Sequence, residues 1–277
     1  MENDPAPFIQ ALRHSHDSLR TLVEPLTDGQ LEQRSYCTDW SIAQVLSHLG
    51  SQAEGFGLWL DAGLTGQDPP GRDVFPPIWD AWNARAPRAQ VTDSLQANEA
   101  LIQRLESLDA DEQERFRLEL FGMDLDLAGL ARMRLSEHAI HSWDVAVALD
   151  PASRVAPEAV DLIVDTLGPL AARSGKPDGT KLRLHVSASG PPRDFTLESG
   201  ETVTLAPSAP GEDAGLPELQ LPAEALVRLV YGRLDPAHTH PSRPGGSIST
   251  SCGGSFPASE SAAVSERTPH AASRQGA

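Results

Sequence analysis

Four ionisable side chains recur at steps of three and four residues within the stretch 130–150. They are Arg134, Glu137, His141 and Asp144. On an α-helix this spacing places all four on one face, and apolar residues flank that face on both sides. A surface helix usually has one polar face and one apolar stripe. The pattern therefore predicts a long helix whose charged face is either a narrow strip exposed to solvent or an inward row of functional groups.

Two side chains of this row are suited to bind a metal ion. Glu137 and His141 are four residues apart, close enough on one helix to bind a single cation. His48 lies on a separate predicted helix that a bundle would bring within reach. Two imidazoles and one carboxylate would leave a divalent ion with open positions, as in a catalytic zinc site. Asp144 is then either a partner of a metal ligand or a structural member of the same row.

Other histidines leave alternatives open. His138 could pair with His141 at a spacing of three residues and displace Glu137 from the ligand set. A partly buried histidine or an exposed Glu-His pair would also produce this pattern, so the spacing alone does not decide for a metal. His14 and His16 are two residues apart on the first predicted helix, so they point to different faces and are interpreted as surface residues.

The chain contains two cysteines, Cys37 and Cys252, which are far apart in sequence. This count argues against a disulfide framework and against a thiolate zinc cluster. Cys37 precedes the predicted helix that carries His48, and a helix N-terminus can lower the pKa of a thiol. Cys37 is therefore either a reactive thiol or a small buried residue, and the second interpretation is favoured.

The composition limits the classes of partner. The chain has 22 Lys and Arg residues against 39 Asp and Glu residues, a formal net charge of -17. This balance argues against nucleic acid and against anionic membrane surfaces. No apolar run approaches the roughly 18 residues of a membrane span, and the N-terminus lacks the features of a secretory signal. The sequence predicts a cytoplasmic protein.

Apolar residues repeat with a helical period through the first half of the chain. The predicted helices begin at Asp4-Pro5, Thr38-Asp39, Thr92-Asp93 and near Asp126. A shorter helix is predicted at about 157–173. Four principal helices of this kind favour a four-helix bundle. The stretch 68–90 is rich in Pro and Trp and is predicted to be a long ordered connection.

The periodicity changes after residue 175. Apolar and polar residues alternate in KLRLHVSA at 181–188, further short alternating runs follow, and Pro222 opens a helix. The predicted fold class is α+β, with a helical bundle at residues 1–175 and a small α+β domain at 176–238. Residues 239–277 contain almost no large apolar side chains, and we predict that this tail is disordered.

Two motifs carry a family resemblance. The first is CTDWS at 37–41 followed by VLSHL at 45–49, and the second is EHAIHSWD at 137–144. Together they resemble the "C-x-x-W-[ST]…V-x-x-H-L" and "E-x-x-x-H-x-W-D" segments of mycothiol-dependent maleylpyruvate isomerase-like proteins. The resemblance covers residues 8–150 and, more weakly, 180–236, where LVRLVYGR at 226–233 is similar to the end of the small C-terminal domain of that family.

The resemblance implies a DinB-like four-helix bundle in which His48, Glu137 and His141 hold a divalent ion, zinc by preference. It also implies an open position for the thiolate of mycothiol, a low-molecular-weight thiol. Arg233 is the family-like candidate for a catalytic cation near substrate carboxylates; the alternative is a surface arginine after a helix. The implied substrate is an electrophilic small molecule.

Two classes of function follow from these observations. The first is a metal- and thiol-dependent enzyme. Its thiolate would either isomerise a cis double bond, as from maleylpyruvate to fumarylpyruvate, or be transferred to an electrophile. The second class is a non-catalytic metal-binding regulatory or interaction protein. Regulators of that kind often combine Cys and His ligands, and the single cysteine of the bundle, Cys37, weakens this second hypothesis.

Overall fold

The computed structural model describes residues 4–37, 39–209, 211–213 and 215–238. The predicted disordered tail at 239–277, including Cys252, lies outside the described residues. Thr38, part of a predicted helix cap, is outside them as well.

Four long helices form the bundle. They are α1 (Ala6–Val23), α3 (Ile42–Thr65), α5 (Pro87–Glu106) and α7 (Leu127–Leu149). Each packs against two of the others, in the order α1, α5, α3, α7 and back to α1. The predicted four-helix arrangement is confirmed. Short helices α2 (Asp28–Leu31), α4 (Phe75–Asn83) and α6 (Ala110–Arg115) lie in the connections.

Specific caps set the ends of the two helices that carry the predicted metal ligands. The Ser41 hydroxyl accepts a hydrogen bond from the backbone N–H of Gln44, whose side chain accepts one from Ser41 N–H in return. This capping box starts α3 at Ile42, after the predicted Thr38-Asp39 start. Gly66 ends α3 with a φ of 66°, and the Asp126 carboxylate caps α7 by accepting from the N–H of Gly129 at 2.8 Å.

The stretch 68–90 is more regular than predicted. It contains a 3-10 turn at Arg72–Val74 and the helix α4, and α5 already begins at Pro87, five residues before Thr92. Proline suits the first turn of a helix, because its missing N–H has no partner there. The predicted start at Thr92-Asp93 was therefore wrong. The Trp82 ring of α4 is 3% exposed and packs on Gly50 of α3.

A short hairpin leads into α7. It consists of β1 (Leu118–Leu120) and β2 (Met123–Leu125), with Leu118 opposite Leu125. Both residues of its turn, Phe121 and Gly122, have positive φ angles of 54° and 76°, which matches the twist of a tight hairpin. The three buried leucines of the hairpin close the end of the bundle where α7 begins.

The second part of the chain is a four-stranded sheet with helices on one side. The strands are β3 (Leu182–Ser189), β4 (Arg193–Ser199), β5 (Val203–Pro207) and β6 (Glu218–Pro222), in the order β5-β4-β3-β6. Only β6 pairs in parallel, beside β3. Helices α8 (Pro157–Ile163), α9 (Leu167–Ser174) and α10 (Ala223–Val230) complete this part, which confirms the α+β class.

One apolar core is continuous between the bundle and the sheet. It joins Trp143 of α7 to Ile163 of α8, Val186 of β3 and Leu226 of α10. The predicted domain boundary at 175/176 stays a prediction, and the buried apolar core continues past this position. In the described part of the chain, every helix is too short or too polar to cross a membrane.

Glycines in α3 provide a test of the packing between α3 and α4. A Cβ added to Gly50 would overlap the ring of Trp82, which is held by a 2.9 Å hydrogen bond from its Nε1 to Glu54. A Cβ at Gly57 would meet nothing within 4 Å. We expect Gly50→Ala to lower the free energy of unfolding by about 1–2 kcal/mol through overpacking, and Gly57→Ala to raise it by about 0.5–1 kcal/mol.

Urea unfolding of the two variants beside the parent measures both effects. Equal stability of Gly50→Ala and Gly57→Ala would contradict the close approach of α4 to α3.

Candidate metal centre

The structure brings His48 of α3 together with Glu137 and His141 of α7. One donor atom from each lies within 4.8 Å of the other two. Glu137 Oε2 is 3.7 Å from Nε2 of His48 and 3.7 Å from Nε2 of His141. The centres of the two imidazole rings are 4.6 Å apart. These separations are too long for direct hydrogen bonds. They are the separations expected of atoms that could share one ion between them.

The charged row of α7 faces inward, which decides between the two interpretations of its pattern. The side chains of Arg134 and Asp144 are fully buried, and His141 is 12% exposed. Glu137 is the exception at 38% exposed. The cluster is therefore open to solvent on the side of Glu137 and enclosed on the others.

The Asp144 carboxylate sets the tautomer of His141. Its Oδ2 lies 2.9 Å from Nδ1 of His141, and an ionised carboxylate can only accept. His141 therefore carries its proton on Nδ1 and presents the lone pair of Nε2 to the cluster, as a metal ligand requires. Burial would raise the pKa of Asp144, but its contacts with His141 and Arg233 lower that pKa below its usual value.

Arg233 reaches this pair from the far end of the chain. Gly232 follows α10 with a φ of 69° and turns the backbone toward the bundle. Arg233 then donates from Nε to Asp144 Oδ1 at 3.1 Å and from Nη2 to Oδ2 at 3.0 Å, while its Nη1 donates to the carbonyl of Tyr231 at 2.7 Å. The side chain is 11% exposed, so the alternative of a surface arginine was wrong.

Cys37 also contacts Asp144. Its thiol donates to Asp144 Oδ2 at 3.1 Å and lies 3.5 Å from Nη2 of Arg233. Burial, followed by the negative charge of Asp144, raises the pKa of the Cys37 thiol to about 12. A thiol in this state is a weak nucleophile. The structure thus favours the interpretation of Cys37 as a small buried residue.

Gln52 is a residue of this centre that the sequence analysis missed. Its Oε1 accepts a 2.8 Å hydrogen bond from Arg134 Nη1, and its Nε2 donates to Glu137 Oε2 at 2.7 Å. The same Nε2 lies 3.0 Å from Nε2 of His48. The available signal was its position one helical turn after His48, which places both on one face of α3.

The pKa values of His48 and Glu137 reflect this enclosure. Burial lowers the pKa of His48 to about 4, so its ring is neutral at pH 7. Burial alone would raise the pKa of Glu137, but the contacts with His48, His141 and Gln52 outweigh it and lower that pKa. Neutral imidazole and ionised carboxylate are the protonation states that bind metal.

Arg134, the first residue of the charged row, lies in the interior of the bundle. It is fully buried where α7 meets α3 and α5. Its Nη2 donates to the carbonyl of Leu49 at 3.0 Å and to the side-chain oxygen of Asn98. Burial lowers the pKa of Arg134 to about 10, which still leaves it charged at pH 7.

The alternative ligand His138 faces α1. Its Nδ1 is 2.8 Å from the hydroxyl of Ser15 on α1 and 3.2 Å from that of Ser142. It is therefore directed away from His48, and Glu137 keeps its place in the cluster. Trp40, predicted as a core residue, is partly buried and lies beside His48, with the ring centres 5.0 Å apart and the ring planes tilted by 43°.

The donor set of the cluster fits a divalent ion. The tautomer of His141 leaves its Nε2 unprotonated, and the amide of Gln52 faces the unprotonated Nε2 of His48. Glu137 supplies an anionic oxygen on the solvent side. Two imidazole nitrogens and one carboxylate suit zinc, iron and several other divalent metals, and they leave positions for further ligands.

The comparisons with known proteins agree with this geometry. Residues 12–146 match the family described as the mycothiol maleylpyruvate isomerase N-terminal domain. This part of the chain, just under half of its residues, belongs to this family. The matched segment contains all three clustered residues, while Arg233 lies beyond it. The family resemblance predicted from the two motifs is confirmed.

Solved structures show the same fold over most of the chain. The crystal structure of the mycothiol-dependent maleylpyruvate isomerase matches with a TM-score of 0.63 at 13% identity, covering 87% of this chain and 96% of that one. A histidine-to-alanine mutant of it matches with a TM-score of 0.62 over the same shares. YfiT from Bacillus subtilis, described as a probable metal-dependent hydrolase, reaches only 0.37, too low to support any argument. No curated protein sequence matches the chain.

His16, predicted to be a surface residue, is fully buried between α1 and its neighbours. Its Nε2 faces Arg20 at 2.9 Å and Glu99 at 3.4 Å, and its Nδ1 has no hydrogen-bond partner among the described residues. Burial and the charge of Arg20 lower its pKa to about 4. The two-residue spacing correctly separated His16 from His14, but His14 is the exposed one.

This burial predicts a pH dependence of stability. The pKa of His16 is about 4 in the folded state against 6.5 for the free side chain. Its neutral form therefore stabilises the fold fully above pH 6.5, and that contribution is lost as the pH falls toward 4. Between about pH 7.5 and about pH 5, we expect the free energy of unfolding to fall by roughly 2 kcal/mol less in His16→Gln than in the parent.

The measurement is urea unfolding at the two pH values, with His14→Gln as the matched control from the same helix. Because His14 is exposed, its variant should keep the full pH dependence of the parent. Parallel pH profiles of the parent and His16→Gln would show that His16 is not buried in its neutral form.

Proposed function

We propose that this chain is a mycothiol-dependent metal enzyme that uses a thiolate to attack an electrophilic small molecule. The observation that best supports this proposal is that His48, Glu137 and His141 lie close together. The lone pairs of both imidazoles are directed into the cluster, and one side of the cluster is open to solvent. Membership of the mycothiol maleylpyruvate isomerase N-terminal domain family supports the choice of thiol. Zinc is the proposed ion, and the cytoplasm is the proposed location because thiols are kept reduced there.

His48, Glu137 and His141 would hold the ion. When bound, a divalent cation lowers the pKa of a coordinated thiol and so makes a thiolate available at neutral pH. Asp144 keeps the proton of His141 on Nδ1, and Arg233 holds Asp144 by two hydrogen bonds. The open side at Glu137 is where thiol and substrate would enter.

The charges of the buried groups favour anionic ligands. The negative charges of Glu137 and Asp144 are balanced by the positive charges of Arg134 and Arg233, each of which is nearly or fully buried. A divalent cation would leave this centre with two positive charges, inside a chain whose formal net charge is -17. A thiolate and a carboxylate-bearing electrophile would neutralise it.

Two reactions use the same thiolate. In isomerisation, the sulfur would add to one carbon of the cis double bond of maleylpyruvate, and the electron pair would move onto the conjugated carbonyl. Rotation about the resulting single bond and expulsion of the thiolate would give fumarylpyruvate. In thiol transfer, the adduct would instead take up a proton and leave as the product. The proposed substrate class is common to both.

The sequence-based role of Arg233, contact with substrate carboxylates, stays a prediction. Its guanidinium donates to Asp144 and to the carbonyl of Tyr231, and it also lies 3.5 Å from the sulfur of Cys37. We propose that its positive charge and its hold on Asp144 are its main contributions. This makes Arg233 a positioning residue unless substrate displaces one of these hydrogen bonds.

The metal assignment predicts the effect of removing one ligand. Purified protein should contain about one equivalent of zinc or a similar ion, and His48→Ala should lower its affinity for that ion by more than about 100-fold, since a ligand contributes more than the outer partners do. Elemental analysis and competition with a chromophoric chelator measure both quantities. His14→Ala, an exposed histidine on α1, is the control and should bind like the parent. Full zinc retention by His48→Ala would refute the assignment.

The thiol assignment has its own test. Zinc-loaded protein should bind mycothiol and shift the midpoint of its thiolate ultraviolet absorbance to lower pH, because a metal-bound thiol loses its proton more easily. Turnover of maleylpyruvate would identify an isomerase, and turnover of other electrophiles would identify a transferase. Zinc binding without mycothiol binding would instead support the non-catalytic regulatory class.

A further inference from the structure

Arg134 lies in an unusual setting for a buried cation. It is fully buried, and within the described part of the chain its hydrogen bonds go to neutral oxygens: Oε1 of Gln52, the carbonyl of Leu49 and the side-chain oxygen of Asn98. Its Nε has no hydrogen-bond partner among the described residues. Burying a charge without a hydrogen-bonded partner of opposite charge is unfavourable for the free energy of folding. A residue that only filled space in the core would not need a positive charge there, so the contacts of Arg134 indicate a functional role.

The guanidinium determines which way the amide of Gln52 points. Arginine has donors and no acceptor, so the group of Gln52 that faces Arg134 must be its carbonyl oxygen. The NH2 group is then directed at Oε2 of Glu137, 2.7 Å away, and at Nε2 of His48, 3.0 Å away. Because an NH2 group only donates, both of these atoms must act as acceptors.

These two acceptor atoms are donor atoms of the proposed metal centre. An Nε2 that accepts from Gln52 carries a lone pair, which is the state that binds a cation. The hydrogen bond to Glu137 also holds its carboxylate toward the cluster, although this side chain is the most exposed of the three. Gln52 therefore does for His48 and Glu137 what Asp144 does for His141.

We infer that Gln52 is a positioning residue of the metal centre, anchored by Arg134, which holds Glu137 and His48 in the geometry and the state that a divalent cation requires. The inference rests on the proposed function, since it presupposes a metal at His48, Glu137 and His141. When His48 holds an ion, its Nε2 would bind the ion in place of the amide, and Gln52 would keep its hydrogen bond to Glu137.

Zinc affinity of the full chain tests the inference. Gln52→Leu keeps a similar side-chain volume and removes the amide, and we expect a loss of about 10- to 100-fold in zinc affinity, the usual effect of losing a partner of a metal ligand. Gln90→Leu is the matched control, because Gln90 is a buried glutamine of α5 outside the centre, 4% exposed. It should bind zinc like the parent.

A double-mutant cycle separates positioning from a general packing effect. If Arg134 acts through Gln52, Arg134→Met should cause a similar loss, and Gln52→Leu with Arg134→Met should lose no more than either single variant. If the two substitutions acted independently through packing, their fold-losses in zinc affinity would instead multiply. The visible absorption of the cobalt-loaded proteins should change in the same way in both single variants, because it reports the geometry around the ion. If Arg134→Met does not fold, Gln52→Leu and its cobalt spectrum decide.

The outcomes distinguish the two levels of the proposal. A parent and a Gln90→Leu variant that bind no divalent ion would overturn the proposed function and this inference with it. A parent that binds zinc, beside a Gln52→Leu variant with the same affinity and the same cobalt spectrum, would overturn the inference alone. Multiplicative losses in the cycle would overturn the anchoring role of Arg134.

Discussion

Four ionisable side chains of α7 point into the interior of the bundle, and the free-energy cost of burying them shapes the rest of the molecule. A buried charge must be compensated by hydrogen bonds or by an opposite charge. Asp144 is compensated by His141, Cys37 and Arg233. The compensation of Arg134 comes from α3 and α5. Glu137 is the least buried of the four and faces the only side from which we expect ligands to enter.

This requirement explains why distant parts of the chain meet at one place. Asp144 and Arg233 are 89 residues apart in sequence, yet they form a two-point ion pair. The segment after α10 is held there by further contacts, including a 2.6 Å hydrogen bond from Tyr36 to Asp235. The sheet and α10 are therefore part of what builds the centre, because they deliver the cation that Asp144 needs. The continuous apolar core supports the same view.

The predictions that succeeded rest on local rules. Glu137 and His141 face the same way because residues four apart on a helix lie on one face. The histidine in the VLSHL motif identified the neighbouring helix, α3, that completes the cluster. The predictions that failed concern burial. His16 was placed at the surface, and the direction in which Arg134 faces was left open, but both are fully buried. Periodicity ranks helix faces by polarity, so it cannot recognise a polar residue whose partners come from other helices.

The sequence by itself determined the class of fold and the two helices that carry the clustered side chains, since these depend on helical period and capping. The short motifs of the family resemblance then singled out His48, Glu137 and His141. Tertiary structure decided the rest. Only the assembly of the bundle brings groups of α3 and α5 to Arg134 as its neutral partners and turns the amide of Gln52 onto His48 and Glu137. Only the docking of the C-terminal segment brings Arg233 to Asp144. The physical reason is that a hydrogen bond needs both partners within about 3 Å, and contacts between distant segments reach that distance only after the chain has folded.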